Sequence, residues 1–104
     1  MSKAMKDLMK QAQKMQAQMQ QAQSELSAQE FEGVSGSGLV TVRMNGRMEI
    51  TGITIKPEAA DPKDTEMLED LIMAAVHNAS EKASHAGSER LSSLTGGMKI
   101  PGLM

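Results

Sequence analysis

The chain predicts an α+β domain in which a small antiparallel sheet lies between a long N-terminal helix and a C-terminal helix. Three observations carry this reading. Met5, Leu8, Ala12, Met15, Met19, Ala22 and Leu26 recur at spacings of three and four, the period of one helix face. Val40, Val42 and Met44 alternate with Thr41 and Arg43 and run into Asn45-Gly46, a hairpin-turn pair. Leu68, Leu71, Ile72, Ala75, Ala79, Ala83 and Ala86 then form a second helical stripe. The whole chain, residues 1–104, suits one domain and is too short for two.

The first helix is expected over residues 3–30, a stretch rich in Ala, Met, Lys and Gln and free of Gly and Pro. At about 1.5 Å per residue it is roughly 40 Å long. Read as heptads, its apolar residues fall at a and d, while Met9, Gln11, Gln16, Gln18 and Gln23 leave the e and g flanks nearly uncharged. A coiled coil that selects a foreign partner by charge places Glu and Lys there. The seam is therefore expected to pack on its own protomer or on a symmetry mate.

Residues 33–38, Gly33-Val34-Ser35-Gly36-Ser37-Gly38, read as a flexible linker ending this helix. The three-stranded sheet is expected over 39–56, with Asn45-Gly46 as a type I′ turn. Met48 and Ile50 continue the even-numbered face, whereas Ile53 and Ile55 are odd-numbered. That change of parity requires a bulge or a break around Thr51-Gly52. Asp61-Pro62 supplies a helix start, so the second helix is expected over 62–93, with Asp64 and Glu66 favouring its dipole. Its stripe thins from Leu and Ile to Ala, so its early turns should be the deeper ones. Gly87 is a point where it weakens or ends, and Leu91 and Leu94 extend it. Residues 95–104, with Thr95-Gly96-Gly97 and Pro101-Gly102, read as a flexible tail.

Composition narrows the function classes. Cysteine is absent, which removes disulfide frameworks and thiolate zinc sites and fits a reducing compartment. No stretch approaches a membrane span, and Lys3, Lys6 and Asp7 interrupt any leader-like apolar run. With 11 Met and Phe31 as the single aromatic, one chain builds only a soft, thin core, so a homodimer is expected. A formal net charge of −2 excludes a strongly basic histone-like binder, but the charge is polarised. Residues 1–24 hold four Lys against Asp7 alone, and the acidic residues gather in Glu25–Glu32 and Glu58–Asp70.

The motifs do not read as an enzyme. The glycines follow a helix and precede a strand, the reverse of a phosphate loop. His77, Glu81 and His85 share one side of the second helix, but the two histidines are roughly 12 Å apart along its axis, so one ion cannot use both. A solvated polar face is the better reading. Ser80 and Ser84 read as helix surface, and Glu66, Glu69 and Asp70 as dipole-stabilising residues of the first turns. No catalytic residue, metal, cofactor or small-molecule substrate is expected.

Lys3, Lys6, Lys10 and Lys14 remain. They fall at heptad positions b, c and f, opposite the apolar seam, and span about 17 Å. A charged helix face is usually just solvated. Here, however, the lysines lack interleaved Glu apart from Asp7, and Gln13, Gln20 and Gln21 beside them suit phosphate oxygens. There is no aromatic platform for single-stranded bases and no Arg or Asn cluster to read base edges. Duplex backbone contact with little sequence preference is the consistent picture.

Taken in order, the segments resemble a known family. The helix beginning Met5-Lys6-Asp7-Leu8-Met9-Lys10-Gln11-Ala12-Gln13 is followed by the glycine segment and Gly38-Leu39-Val40-Thr41-Val42. Asn45-Gly46, Ile53-Thr54-Ile55, Leu68-Glu69-Asp70-Leu71-Ile72 with Ala75 and Asn78, and the Thr95-Gly96-Gly97…Pro101-Gly102 tail come next. The whole resembles the YbaB/EbfC family of bacterial nucleoid-associated proteins. That resemblance implies an α-β-β-β-α protomer and a tight homodimer whose sheets meet centrally and whose helices project as arms. It also implies a cytoplasmic, nucleoid-associated protein that binds duplex DNA through its first and last helices and tunes nucleoid organisation and gene expression. By position, the DNA-binding residues would be Lys3, Lys6, Lys10 and Lys14, with Lys82 and Arg90 on the last helix. The dimer interface would bury Val40, Val42, Ile50, Ile53 and Ile55. The rival reading is a protein-interaction module that receives a partner's helix in the Met-rich seam.

Overall fold

The computed structural model describes residues 2–94, and the tail expected over 95–104 lies outside them. The element order is α1 (Lys3–Ala28), β1 (Glu30–Val34), β2 (Val40–Asn45), β3 (Ile50–Ile55), a short 3₁₀ turn (Pro57–Ala59) and α2 (Thr65–Leu94). The strands form one antiparallel sheet in the order β1-β2-β3. The expected α+β class is therefore correct, with a correction to where its first strand lies.

Helix α1 starts where Ser2 Oγ accepts the Met5 N–H at 3.2 Å, satisfying one of the donors that a helix N-terminus leaves open. It ends without a loop. Gln29 is already extended, at φ −75° and ψ 145°, and the chain passes directly into β1. The expected linker over 33–38 thus begins as strand: Gly33 and Val34 pair with Val42 and Thr41 of β2. The sheet expected within 39–56 accordingly has only two of its strands there. Gly33 is required for closeness. A Cβ on it would collide with the Ala75 carbonyl and the Ala79 amide of α2, so the helix rests on bare strand backbone. Ser35 to Leu39 then make the turn into β2, with Gly38 at φ +75°.

The β2–β3 turn also differs from expectation. The Asn45 side-chain oxygen accepts the Arg47 and Glu49 N–H groups at 2.9 and 3.1 Å, and the left-handed residue is Met48, at φ +65°. A type I′ turn needs positive φ at both central residues, and Gly46 does not have it. Gly46 is small for another reason: a Cβ there would strike the Leu26 carbonyl at the end of α1. The bulge demanded by residue parity is present. Arg43 pairs with Gly52 and Met44 with Ile50, leaving Thr51 as the extra residue. Ile50, Ile53 and Ile55 therefore lie on the same sheet face as Met44, Val42 and Val40.

That face meets α2. Asp61-Pro62 forms a turn ahead of this helix, where Asp61 accepts the Lys63 and Asp64 amides. The cap is instead Asp64, whose carboxylate accepts the Met67 N–H at 3.2 Å. Helix α2 runs through Gly87 without ending. It lies across β1 and β2, and its buried stripe is Ala75, Ala79 and Ala83. This reverses the expected depth profile. Leu68, Leu71 and Ile72 stay half-buried at the margin, because only small side chains allow the close approach to β1.

The core is Val40, Val42, Met44, Ala59, Ala75, Ala79 and Ala83, with Phe31, Leu39 and Val76 packed against it. Val40 and Val42 are wholly buried inside one protomer. They lie beneath the protomer's own α2 and, against the expectation, present no exposed surface to a second chain. Ile50, Ile53 and Ile55, beyond the helix, remain 48, 45 and 37% exposed.

Candidate nucleic-acid interface

The body of the protein holds α1 by one end. Every residue from Ser2 to Gln21 is exposed, Ala22 is buried, and Leu26 and Ser27 are half-buried. The apolar seam thus meets its own protomer only over its last turns, and Met5, Leu8, Met15 and Met19 remain open. The molecule is correspondingly elongated, 73 × 24 × 15 Å.

Three contacts fix the base of this arm. Leu26 packs at Gly46 and near Gly87 of α2. The Arg47 Nε–H donates to Ser27 Oγ at 3.2 Å. The Arg90 guanidinium donates to the Glu25 carboxylate at 2.6 Å, a charged hydrogen bond between α2 and α1.

Lys3, Lys6, Lys10 and Lys14 all lie on the projecting part. At about 100° per residue they share an arc of roughly 80°, facing away from the apolar seam. Among the described residues none of the four lysine side chains enters a hydrogen bond or an ion pair, with Asp7 or any other residue. Their charges are not spent inside the molecule.

The second helix differs. Lys82 Nζ donates to the Glu32 carbonyl of β1 at 2.8 Å, and Arg90 is engaged with Glu25. Both sequence-suggested contacts on α2 are thus occupied within the protomer, and neither joins the lysine row. Glu81 and Glu89 pair along the helix with His77 and His85 at 3.0 and 3.1 Å, all four side chains well exposed. This is a solvated polar face, and no group of three potential metal ligands occurs among the described residues. Glu25, Ser27 and Asn78 were not suggested as functional by the pattern along the chain. Their partners lie 65, 20 and 44 residues away, so no local spacing marks them.

The described residues thus define an α+β body that carries a row of four lysines on a projecting helix. The comparisons say which family has this build. Residues 1–98 match the model of the YbaB/EbfC DNA-binding family, and the chain belongs to that family. It is 51% identical over 94 residues to a nucleoid-associated protein of Chloroflexus aurantiacus, covering 90% of this chain and 94% of that one. It is 54% identical over 99 residues to a nucleoid-associated protein of Clostridium perfringens, covering 95% and 88% respectively. The crystal structure of an uncharacterized Helicobacter pylori protein superposes with a TM-score of 0.77 at 18% identity, covering 91% of this chain and 98% of that one. That likeness speaks to the fold alone.

Proposed function

We propose that this protein binds duplex DNA as a homodimer, mainly by phosphate contacts from the α1 arms and with weak sequence preference. At the bacterial nucleoid, in the cytoplasm, it would thereby affect chromosome organisation and gene expression. The observation that carries this reading is the row of four unpaired lysines on a helix that projects from the body. Dimerisation is supported by what one protomer leaves open. β3 is an edge strand, and Ile50, Ile53 and Ile55 form an apolar ledge beside α2. With Val40 and Val42 consumed by the core, that ledge and the α1 seam are the surfaces left for a symmetry mate.

Two arms bring eight lysines, so the slope of log affinity against log salt should be no steeper than about −7. Titrating duplex DNA at several salt concentrations measures it. The Lys6→Glu, Lys10→Glu double variant should lose most of its affinity. Salt-independent binding, or full affinity in that variant, would sink the phosphate reading.

The exposed methionines support one second reading, a protein-interaction module in which the α1 seam receives a partner's helix. Mild oxidation separates the two. Rapid oxidation of Met15 and Met19 in the free dimer favours the module, and protection means that the symmetry mate fills the seam.

A further inference from the structure

We infer that Arg90 and Glu25 act in DNA binding as a positioning pair, setting the angle of the α1 arm, and that Arg90 is not itself a phosphate contact. The inference rests on the proposed lysine-arm reading. Arg90 Nη2 and Glu25 Oε2 are 2.6 Å apart, bridging α2 to α1 just where α1 leaves the body. On the far side of Glu25 every side chain from Ser2 to Gln21 is exposed. The pair is the only ion pair between α1 and the rest of the protein among the described residues.

Geometry makes so small a contact matter. Lys3 is 22 residues from Glu25, a lever of about 33 Å. A tilt of about 10° at the base moves Lys3 by roughly 6 Å, nearly two of the 3.4 Å steps along a DNA strand. A guanidinium already engaged by a carboxylate is also a poor phosphate ligand, because its donors are committed and its charge is neutralised locally.

Charge alone and positioning give opposite signs for Glu25. If only charge matters, Glu25→Gln removes a repulsive carboxylate near the lysine arm and tightens binding. If the pair positions the arm, the same change weakens it. Both side chains are about half exposed, and exposed pairs are worth little, so the expected loss is modest, about three- to fivefold in affinity. Arg90→Gln should match it. The swapped double variant, Glu25→Arg with Arg90→Glu, should recover affinity to within about twofold, with an unchanged salt slope.

A spectroscopic measurement reads the arm without DNA. The chain has no cysteine, so Gln13→Cys on the arm and Met73→Cys on α2 take nitroxide labels site-specifically. Labelled protein is diluted into unlabelled protein so that distances are measured within one protomer. The distribution should broaden in Glu25→Gln and in Arg90→Gln and narrow again in the swap. Tighter DNA binding by Glu25→Gln, no rescue in the swap, or an unchanged distribution in Arg90→Gln would each overturn the pair's role. Failure of the lysine-arm reading shows separately, as full affinity in the Lys6→Glu, Lys10→Glu variant.

Discussion

The two edges of the sheet are treated in opposite ways. At β1 two of the outward main-chain groups are taken up by α2: Asn78 Oδ1 accepts the Val34 N–H at 3.0 Å, and Lys82 Nζ donates to the Glu32 carbonyl at 2.8 Å. Phe31, Gly33 and Ser35 face inward to β2, so these two bonds fall on the outer side of the strand and cover part of it. At β3 the ladder turns the main-chain groups of Ile53 and Ile55 outward, and three isoleucines lie uncovered on the same strand. An unprotected apolar edge is a liability that proteins remove unless they use it. The contrast teaches that α2 covers one edge and leaves the other open, the edge that the proposed dimer would use.

The closed edge is the easier to break. Gly33→Ala sets a methyl group against two backbone groups of α2, neither of which can move without shifting the helix. Overpacking of that kind should cost roughly 3 kcal/mol or more, a large share of the stability of a small domain. Urea unfolding followed by circular dichroism should show a much lower midpoint, or no folded baseline. A variant as stable as the parent would mean that α2 does not rest on β1 backbone.

The open edge should fail differently. Ile53→Lys places a charge in the apolar ledge of each protomer, at a side chain that is already 45% exposed. The fold should persist while the dissociation constant of the proposed dimer rises by roughly a hundredfold or more, since a charge buried without a partner is expensive. Sedimentation should then show the mass of a single chain, with helical content retained. An unchanged dimer would move the interface away from β3.

The same contrast explains what was legible in the sequence. Helix α1 and strand β2 follow from periodicity, and the Thr51 bulge from a change of residue parity, because each is a local consequence of burying one face. Strand β1 is hidden. Glu30, Glu32 and Gly33 look like a polar exit and a linker, and the reason for Gly33 lies in Ala75 and Ala79, more than 40 residues on. Gly46 misleads in the same way, placed for room beside Leu26 and not for a positive φ. In the candidate site the exposure of the lysine row follows from the helical period alone. The internal bonds of Lys82 and Arg90 do not, since an exposed cation and one holding a distant carbonyl or carboxylate are the same letter in the chain.

The smallest expected effect tests whether the closed edge is sealed by hydrogen bonds or merely shaded by the helix. Asn78→Ala leaves the Val34 N–H without its acceptor, and Lys82→Ala leaves the Glu32 carbonyl without its donor. Both bonds lie where water reaches, so the losses should be near the low end for a hydrogen bond, about 1 kcal/mol for Asn78 and about half that for Lys82. The inequality has a cause: Asn78 is half-buried and so already ordered, whereas Lys82 must immobilise a long, exposed stem to reach its carbonyl. Amide hydrogen exchange gives the sharper readout. In Asn78→Ala the Val34 amide should exchange faster, while the inward amides of Phe31 and Gly33 hold their protection. If Val34 stays as slow as in the parent, the bulk of α2 shields the strand. Its side-chain bonds are then incidental, and the difference between the two edges reduces to where the helix lies.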